Sequence, residues 1–176
     1  GLSRKRITIS TSGITPQIDQ LSSEVDVSLA VSLHAPTNEL RDELVPINKK
    51  YPISELINSC NKYLAFYNGK RSITIEYILI DGVNDSEELA KKLAKLLSKV
   101  SCKINLIPFN PFDGSDYKRS NNKNIEVFKR ILINKGFITT LRVTRGDAVD
   151  GACGQLVGKL AKSVKGKKLI SHQLIS

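Results

Sequence analysis

Two hydrophobic rhythms alternate along the chain. Residues 7–12 are rich in β-branched side chains and end in Ser12-Gly13, while residues 25–34 alternate at first and then become nearly all apolar, so both read as strands. Beyond them Leu40, Leu44, Leu56, Ile57, Cys60 and Leu64 recur at helical spacing, with Ser54 after Pro52 as the expected N-cap. A third strand is expected over residues 73–80, closed by Asp81-Gly82. Asp85 or Ser86 then opens a helix through Glu88 to Val100, with Leu89, Leu93, Leu96 and Leu97 in its apolar stripe. Residues 103–109 give a fourth strand. A polar loop follows, then a helix over residues 124–134, a Gly136 terminator and a fifth strand over residues 138–144.

Such alternation calls for a parallel sheet covered by helices, and right-handed crossovers leave a doubly wound sheet or an arc of a (β/α) barrel. Gly-x-Gly-x-x-Gly and Walker A loops are absent, which weakens the nucleotide-binding versions of the doubly wound sheet. The expectation is therefore an α/β fold: a partial (β/α) barrel with parallel strands and outer helices. In a barrel, side chains just after the strand C-termini form the active face. That rule selects Ser10 with Thr11 and Ser12, Ser32-Leu33-His34, Asp81 and Asn110. Each also has a quieter reading. A strand-end serine can satisfy backbone groups, a lone histidine is commonly a hydrogen-bonded structural residue, and Asn110 between Phe109 and Pro111 suits a turn. Their shared position is what marks them out.

Composition narrows the setting. At 176 residues, 40% hydrophobic and 25% charged, the chain fits one soluble globular domain. No apolar run approaches the roughly 18 residues of a bilayer span, and Gly1-Leu2-Ser3-Arg4-Lys5-Arg6 lacks a signal-peptide core, so a cytoplasmic location is expected. Cys60, Cys102 and Cys153 are odd in number and far apart, which suits reduced thiols and forms no local metal-ligand motif. The chain has no Met and runs directly into a strand pattern, as a piece of something longer would. Its net charge of +10 is concentrated in Arg4-Lys5-Arg6, Lys118-Arg119 and Lys159, Lys162, Lys165, Lys167 and Lys168, a balance that favours a polyanionic partner. The most informative run is Asp147-Ala148-Val149-Asp150-Gly151-Ala152-Cys153-Gly154-Gln155-Leu156. Small residues flank its thiol, so a large substrate can approach it, although a lone cysteine is most often a small buried hydrophobe.

Seven runs occur in order: Ile9-Ser10-Thr11-Ser12-Gly13, Ser32-Leu33-His34-Ala35-Pro36, Leu44-Val45-Pro46-Ile47-Asn48, Asp81-Gly82-Val83-Asn84-Asp85, Asn105-Leu106-Ile107-Pro108-Phe109-Asn110-Pro111, Thr144-Arg145-Gly146-Asp147 and Ala152-Cys153-Gly154-Gln155-Leu156. Together they resemble the C-terminal half of the RlmN family, radical S-adenosylmethionine enzymes that methylate C2 of an adenosine in 23S rRNA and in certain tRNAs. The resemblance covers residues 4–158; it divides the chain into a core over residues 1–158 and a basic tail over residues 159–176.

The resemblance implies that Ser10, Ser32, Leu33, His34 and Asn110 bind S-adenosylmethionine and that Cys153 becomes S-methylated. Adenine C2 carries an unactivated C–H and no nucleophilic lone pair, whereas a thiolate is a good nucleophile for a sulfonium methyl group. In the family a second cofactor molecule, cleaved reductively at a 4Fe-4S cluster by electrons from a reductant, gives a deoxyadenosyl radical. That radical takes hydrogen from the S-methyl group, the methylene radical adds to C2, and a second cysteine releases the product by forming a disulfide with Cys153. The adenosine must leave its stack to reach the site. The cluster ligands, the glycine-rich cofactor segment and the second reactive cysteine have no counterpart in this chain, so the resemblance places no metal ligand in it and implies that the chain alone is inactive. Ala148 and Gly151 stand where the family usually has Asp and Ala, and Gly151 adds freedom beside Cys153. Thr144-Arg145-Gly146-Asp147 looks more like the C2 enzymes than their C8-methylating relatives. Two further alternatives are a non-catalytic basic domain that docks RNA and a barrel enzyme of phosphorylated metabolites, for which Gly146-Asp147-Ala148 is a poor phosphate loop.

Overall fold

The computed structural model describes residues 7–142, apart from Val25 and Gly69. Cys153, the motif around Arg145, the departures at Ala148 and Gly151, the basic tail and Arg4-Lys5-Arg6 lie outside the described residues. The elements run β1 (Thr8–Thr11), α1 (Thr15–Glu24), β2 (Ser28–Ser32), α2 (Asn38–Leu44), a 3₁₀ turn (Pro46–Lys49), α3 (Ile53–Phe66), β3 (Ile73–Leu79), α4 (Glu87–Leu96), β4 (Cys102–Pro108), α5 (Asn122–Asn134) and β5 (Thr139–Leu141).

Strand order is β1-β2-β3-β4-β5, and every neighbouring pair is parallel. A doubly wound sheet reverses its strand order at a switch point; this sheet never reverses. Each right-handed crossover therefore lays its helix on the same side. Packing agrees: Ile18 of α1, Leu56 of α3, Leu93 of α4 and Phe128 of α5 share one core with Val31, Ile75, Tyr77 and Leu106 of the strands. The result is an arc of a (β/α) barrel. A smaller apolar cluster sits at the strand C-terminal end, joining Ala35, Leu44, Val45 and Phe109 to Ile78 and Ile80. Among the described residues no helix is long and apolar enough to cross a membrane.

Local chemistry explains most boundaries. The Ser86 hydroxyl accepts from the Leu89 amide to start α4, whose first turn carries Glu87 and Glu88, and Asn121 accepts from the Asn124 amide to start α5. Gly136 follows α5 with a φ of +89°, a conformation that ends helices and favours glycine. The helical spacing from Leu40 to Leu64 is carried by two helices, because Pro46 cannot continue α2. Two expectations need correction. Ser54 is not a cap: α3 starts at Ile53 with Pro52 at the cap position, and the Ile53 amide is satisfied by Asn38 Oδ1 at 3.0 Å. Residues 25–34 yield only Ser28–Ser32 as strand, since the chain leaves the sheet at Leu33. The spacing also passes over α1, which is polar apart from Ile18 and Leu21; Thr15-Pro16 at its start and Ile14, Ile18 and Leu21 at i, i+4 and i+7 are its signals.

Candidate active site at the strand ends

Alternation along the strands gives the sheet two unlike faces. Leu29 and Val31, Ile73, Ile75 and Tyr77, and Ile104 and Leu106 enter the helix-covered core. The residues between them face the other way, and register aligns Ser32, Glu76, Asn105 and Thr140 in one row across β2 to β5. Ser32 Oγ donates to Glu76 Oε2 at 3.3 Å, and Thr140 Oγ1 donates to Asn105 Oδ1 at 3.2 Å. Ser10 lies on the same side in the row of Ala30 and Thr74 and is exposed at the sheet edge. Parallel sheets are normally covered on both faces. Among the described residues α1, α3, α4 and α5 all pack on the other face, so this polar row is on the side that a barrel turns to its lumen.

At the end of β2 the chain turns sharply. His34 has a φ of +61°, rare for a non-glycine residue, and its side chain is fully buried. Its Nδ1 accepts from the Ile78 amide at 3.2 Å, taking the place of the carbonyl that a longer β2 would have offered. Nδ1 is thus unprotonated and the ring proton sits on Nε2, a buried donor with no acceptor among the described residues. Burial, helped by the nearby Arg41 charge, pushes the His34 pKa down to about 3, so the ring is neutral. Asn84 completes the seam. Its amide nitrogen donates to His34 O at 2.9 Å and Ile78 O at 2.7 Å, and its oxygen accepts from the Ile80 amide at 2.8 Å. Where β2 and β3 part, these two side chains satisfy the backbone groups that the ladder abandons.

Leu33 is fully engaged. Its amide donates to Glu76 O at 3.0 Å, its carbonyl accepts from the Ala35 amide at 2.8 Å and from Arg41 Nε at 3.0 Å, and its side chain lies in the core. It shapes the turn and has no free polar group to offer a ligand. Asn110 is exposed just beyond the point where the Phe109 amide, bonded to Leu79 O at 3.0 Å, extends the β3–β4 ladder. Asp81 is exposed too; its amide donates to Lys118 O at 3.0 Å and it belongs to the turn through Gly82.

Reading the sequence alone misses Arg41, Glu76, Asn84 and Asn105. Arg41 had a signal: with Leu44, Val45 and Asn48 it falls at i, i+3, i+4 and i+7, a charged residue on an apolar face. Cys60 is buried in the core and Cys102 is half-buried at the start of β4. Desolvation pushes both thiols up to about 12, first for Cys60 as for Cys102, so neither is a nucleophile or a ready ligand. Among the described residues no group of His, Cys, Asp or Glu could hold a metal ion.

No protein-family model matches the chain. It is 58% identical over 158 residues to the dual-specificity RNA methyltransferase RlmN of Marinomonas sp. (strain MWYL1), covering 90% of this chain and 43% of that protein. It is 55% identical over 160 residues to the RlmN of Pseudomonas putida (strain W619), covering 91% of this chain and 42% of that protein. The chain is a partial homologue of the RlmN RNA methyltransferases. It spans less than half the length of these curated relatives. The crystal structure of a radical SAM methyltransferase from Sphaerobacter thermophilus matches with a TM-score of 0.82 at 47% identity, over 87% of this chain and 45% of that one. A domain of pyruvate-formate lyase-activating enzyme from Bacteroides vulgatus ATCC 8482 matches with a TM-score of 0.59 at 16% identity, over 77% of this chain and 80% of that one, a likeness of fold. The RlmN homology and the barrel arc agree with the reading of the seven motifs.

Proposed function

We propose that this chain forms the cofactor-facing part of a longer RlmN-type enzyme, one that methylates C2 of an adenosine in 23S rRNA and certain tRNAs. The observation that carries this is the chemistry of the strand ends: β1, β2 and β4 bring Ser10, Ser32 to His34 and Asn110 toward one end of the sheet, and His34 holds a buried N–H with no acceptor among the described residues. S-adenosylmethionine is rich in acceptors and fits that donor set. Ser10 and Asn110 offer exposed hydrogen-bonding groups, His34 Nε2 offers the buried donor, and Leu33 contributes by holding the turn. When bound, the cofactor supplies the methyl group and, with a reduced cluster, a radical.

The described residues do not fit a 4Fe-4S cluster, since both described cysteines are desolvated neutral thiols apart from any other ligand set. The cluster ligands and the second reactive cysteine belong to the rest of the enzyme, whose reductant feeds the cluster. Residues 1–158 are the barrel part with Cys153 as methyl carrier, residues 159–176 are a basic tail, the location is cytoplasmic, and the isolated chain does not turn over. The disulfide of product release belongs to the same proposal. The test is mass spectrometry of the full-length protein carrying this chain, purified with its cluster. Cys153 heavier by one methylene is expected; an unmodified Cys153 in active enzyme overturns the methyl-carrier role.

A further inference from the structure

Arg41 is fully buried, yet among the described residues no carboxylate bonds to it. Its Nη2 donates to Ser12 O at 2.7 Å and Ser32 O at 3.2 Å, its Nε to Leu33 O at 3.0 Å, and its Nη1 to Asn48 Oδ1 at 3.0 Å. Asn48 in turn donates to Asp42 Oδ1 at 2.6 Å, so the Asp42 carboxylate is reached through a neutral amide. A desolvated guanidinium is costly unless its N–H groups find acceptors. Four of its five are matched. Burial lowers its pKa to about 10, which leaves it charged at neutral pH.

The acceptors are not scattered. Three are the carbonyls of Ser12, Ser32 and Leu33, where β1 and β2 leave the sheet, two residues beyond Ser10 in β1 and directly before His34. Converging carbonyl dipoles repel one another, and a cation between them turns that repulsion into a fixed geometry. Gly13 is shaped to the same end: its φ is +108°, and a Cβ on it would lie 3.1 Å from Arg41 Nη2 and 3.3 Å from Leu56 Cδ2. Ser12-Gly13 thus closes over the guanidinium. We propose that Arg41 is a positioning residue for the cofactor site: lodged between the ends of β1 and β2, it fixes the backbone from Ser32 to His34 in the shape that the bound cofactor meets.

This inference rests on the RlmN-type reading, and the experiment separates the two. In full-length, cluster-loaded protein, Arg41→Lys and Gly13→Ala are compared with the unaltered protein for the equilibrium Kd of S-adenosylmethionine measured without RNA, which is expected to move with its KM, and for the KM of S-adenosylmethionine, the KM of RNA and kcat per titrated active site. Lysine keeps the charge but cannot bridge three carbonyls. Arg41→Lys is expected to raise the cofactor KM about tenfold, with the RNA KM unchanged within about twofold. Gly13→Ala, which strains the turn at φ +108° and crowds the guanidinium without removing it, is expected to raise the cofactor KM a few-fold and serves if the arginine variant does not fold. A purely structural brace would lower the active fraction and leave the cofactor KM of the folded molecules unchanged, and that result overturns the inference. Unaltered protein that binds no S-adenosylmethionine and methylates no RNA overturns the reading beneath it.

Discussion

Along β3, Ile73, Ile75, Tyr77 and Leu79 are buried in the helix-covered core, while Thr74 and Glu76 between them stay half-exposed on the other side. The same contrast repeats in β4, where Ile104 and Leu106 are buried and Asn105 is not. One face is a continuous apolar surface filled by four helices; the other is a polar row from Ser32 to Thr140. Only a step of one residue separates them. The difference teaches that stability and chemistry are divided between faces of one sheet, so substitutions a single position apart should have unlike effects.

The contrast can be probed by size of effect. Phe128→Ala, which empties a fully buried ring packed 5.2 Å from the Tyr77 ring, is expected to cost about 3–5 kcal/mol in urea denaturation. A loss below about 1 kcal/mol would mean that the helix-covered core is not the stabilising face. Next comes Asn84→Ala at the seam between faces. It leaves His34 O, Ile78 O and the Ile80 amide without partners, and about 3 kcal/mol is expected from buried groups at roughly 1 kcal/mol or more each.

His34 sharpens the comparison through pH. The unfolded chain takes up a proton on this histidine near pH 6.5, whereas the folded chain refuses it until about 3. Stability therefore falls as pH drops through that window, by up to about 1.4 kcal/mol per pH unit for this group, and is untouched above it. His34→Gln should flatten the slope between pH 6.5 and 4 in parallel denaturation curves. An unchanged slope would show that His34 is not buried as a neutral ring.

The smallest effect is expected on the open face. Asn105→Ala removes one half-exposed hydrogen bond from Thr140 and should cost less than about 1 kcal/mol by the same denaturation measurement. A cost rivalling that of Phe128→Ala would erase the distinction between the faces.

Strand and helix succession was legible because it is written in spacings of two to four residues. The cap at Ser86, the Gly136 stop and the burial of Cys60 all follow from neighbours close in sequence. The strand-end rule selects Ser10, Ser32, His34 and Asn110 as candidates on the same ground, as each lies near the end of a recognisable strand run. The tertiary structure decided the rest. Two sheet architectures were compatible with the pattern until the unreversed strand order separated them. That the Leu33 carbonyl is held by Ala35 and Arg41 could not be read from its place at a strand end. Arg41 reaches a carbonyl 29 residues away at Ser12, and His34 meets the Ile78 amide 44 residues away. Periodicity records which side of an element is apolar; it carries no register between elements. Only packing the elements fixes which buried polar groups meet, and at β2 those meetings shape the candidate site.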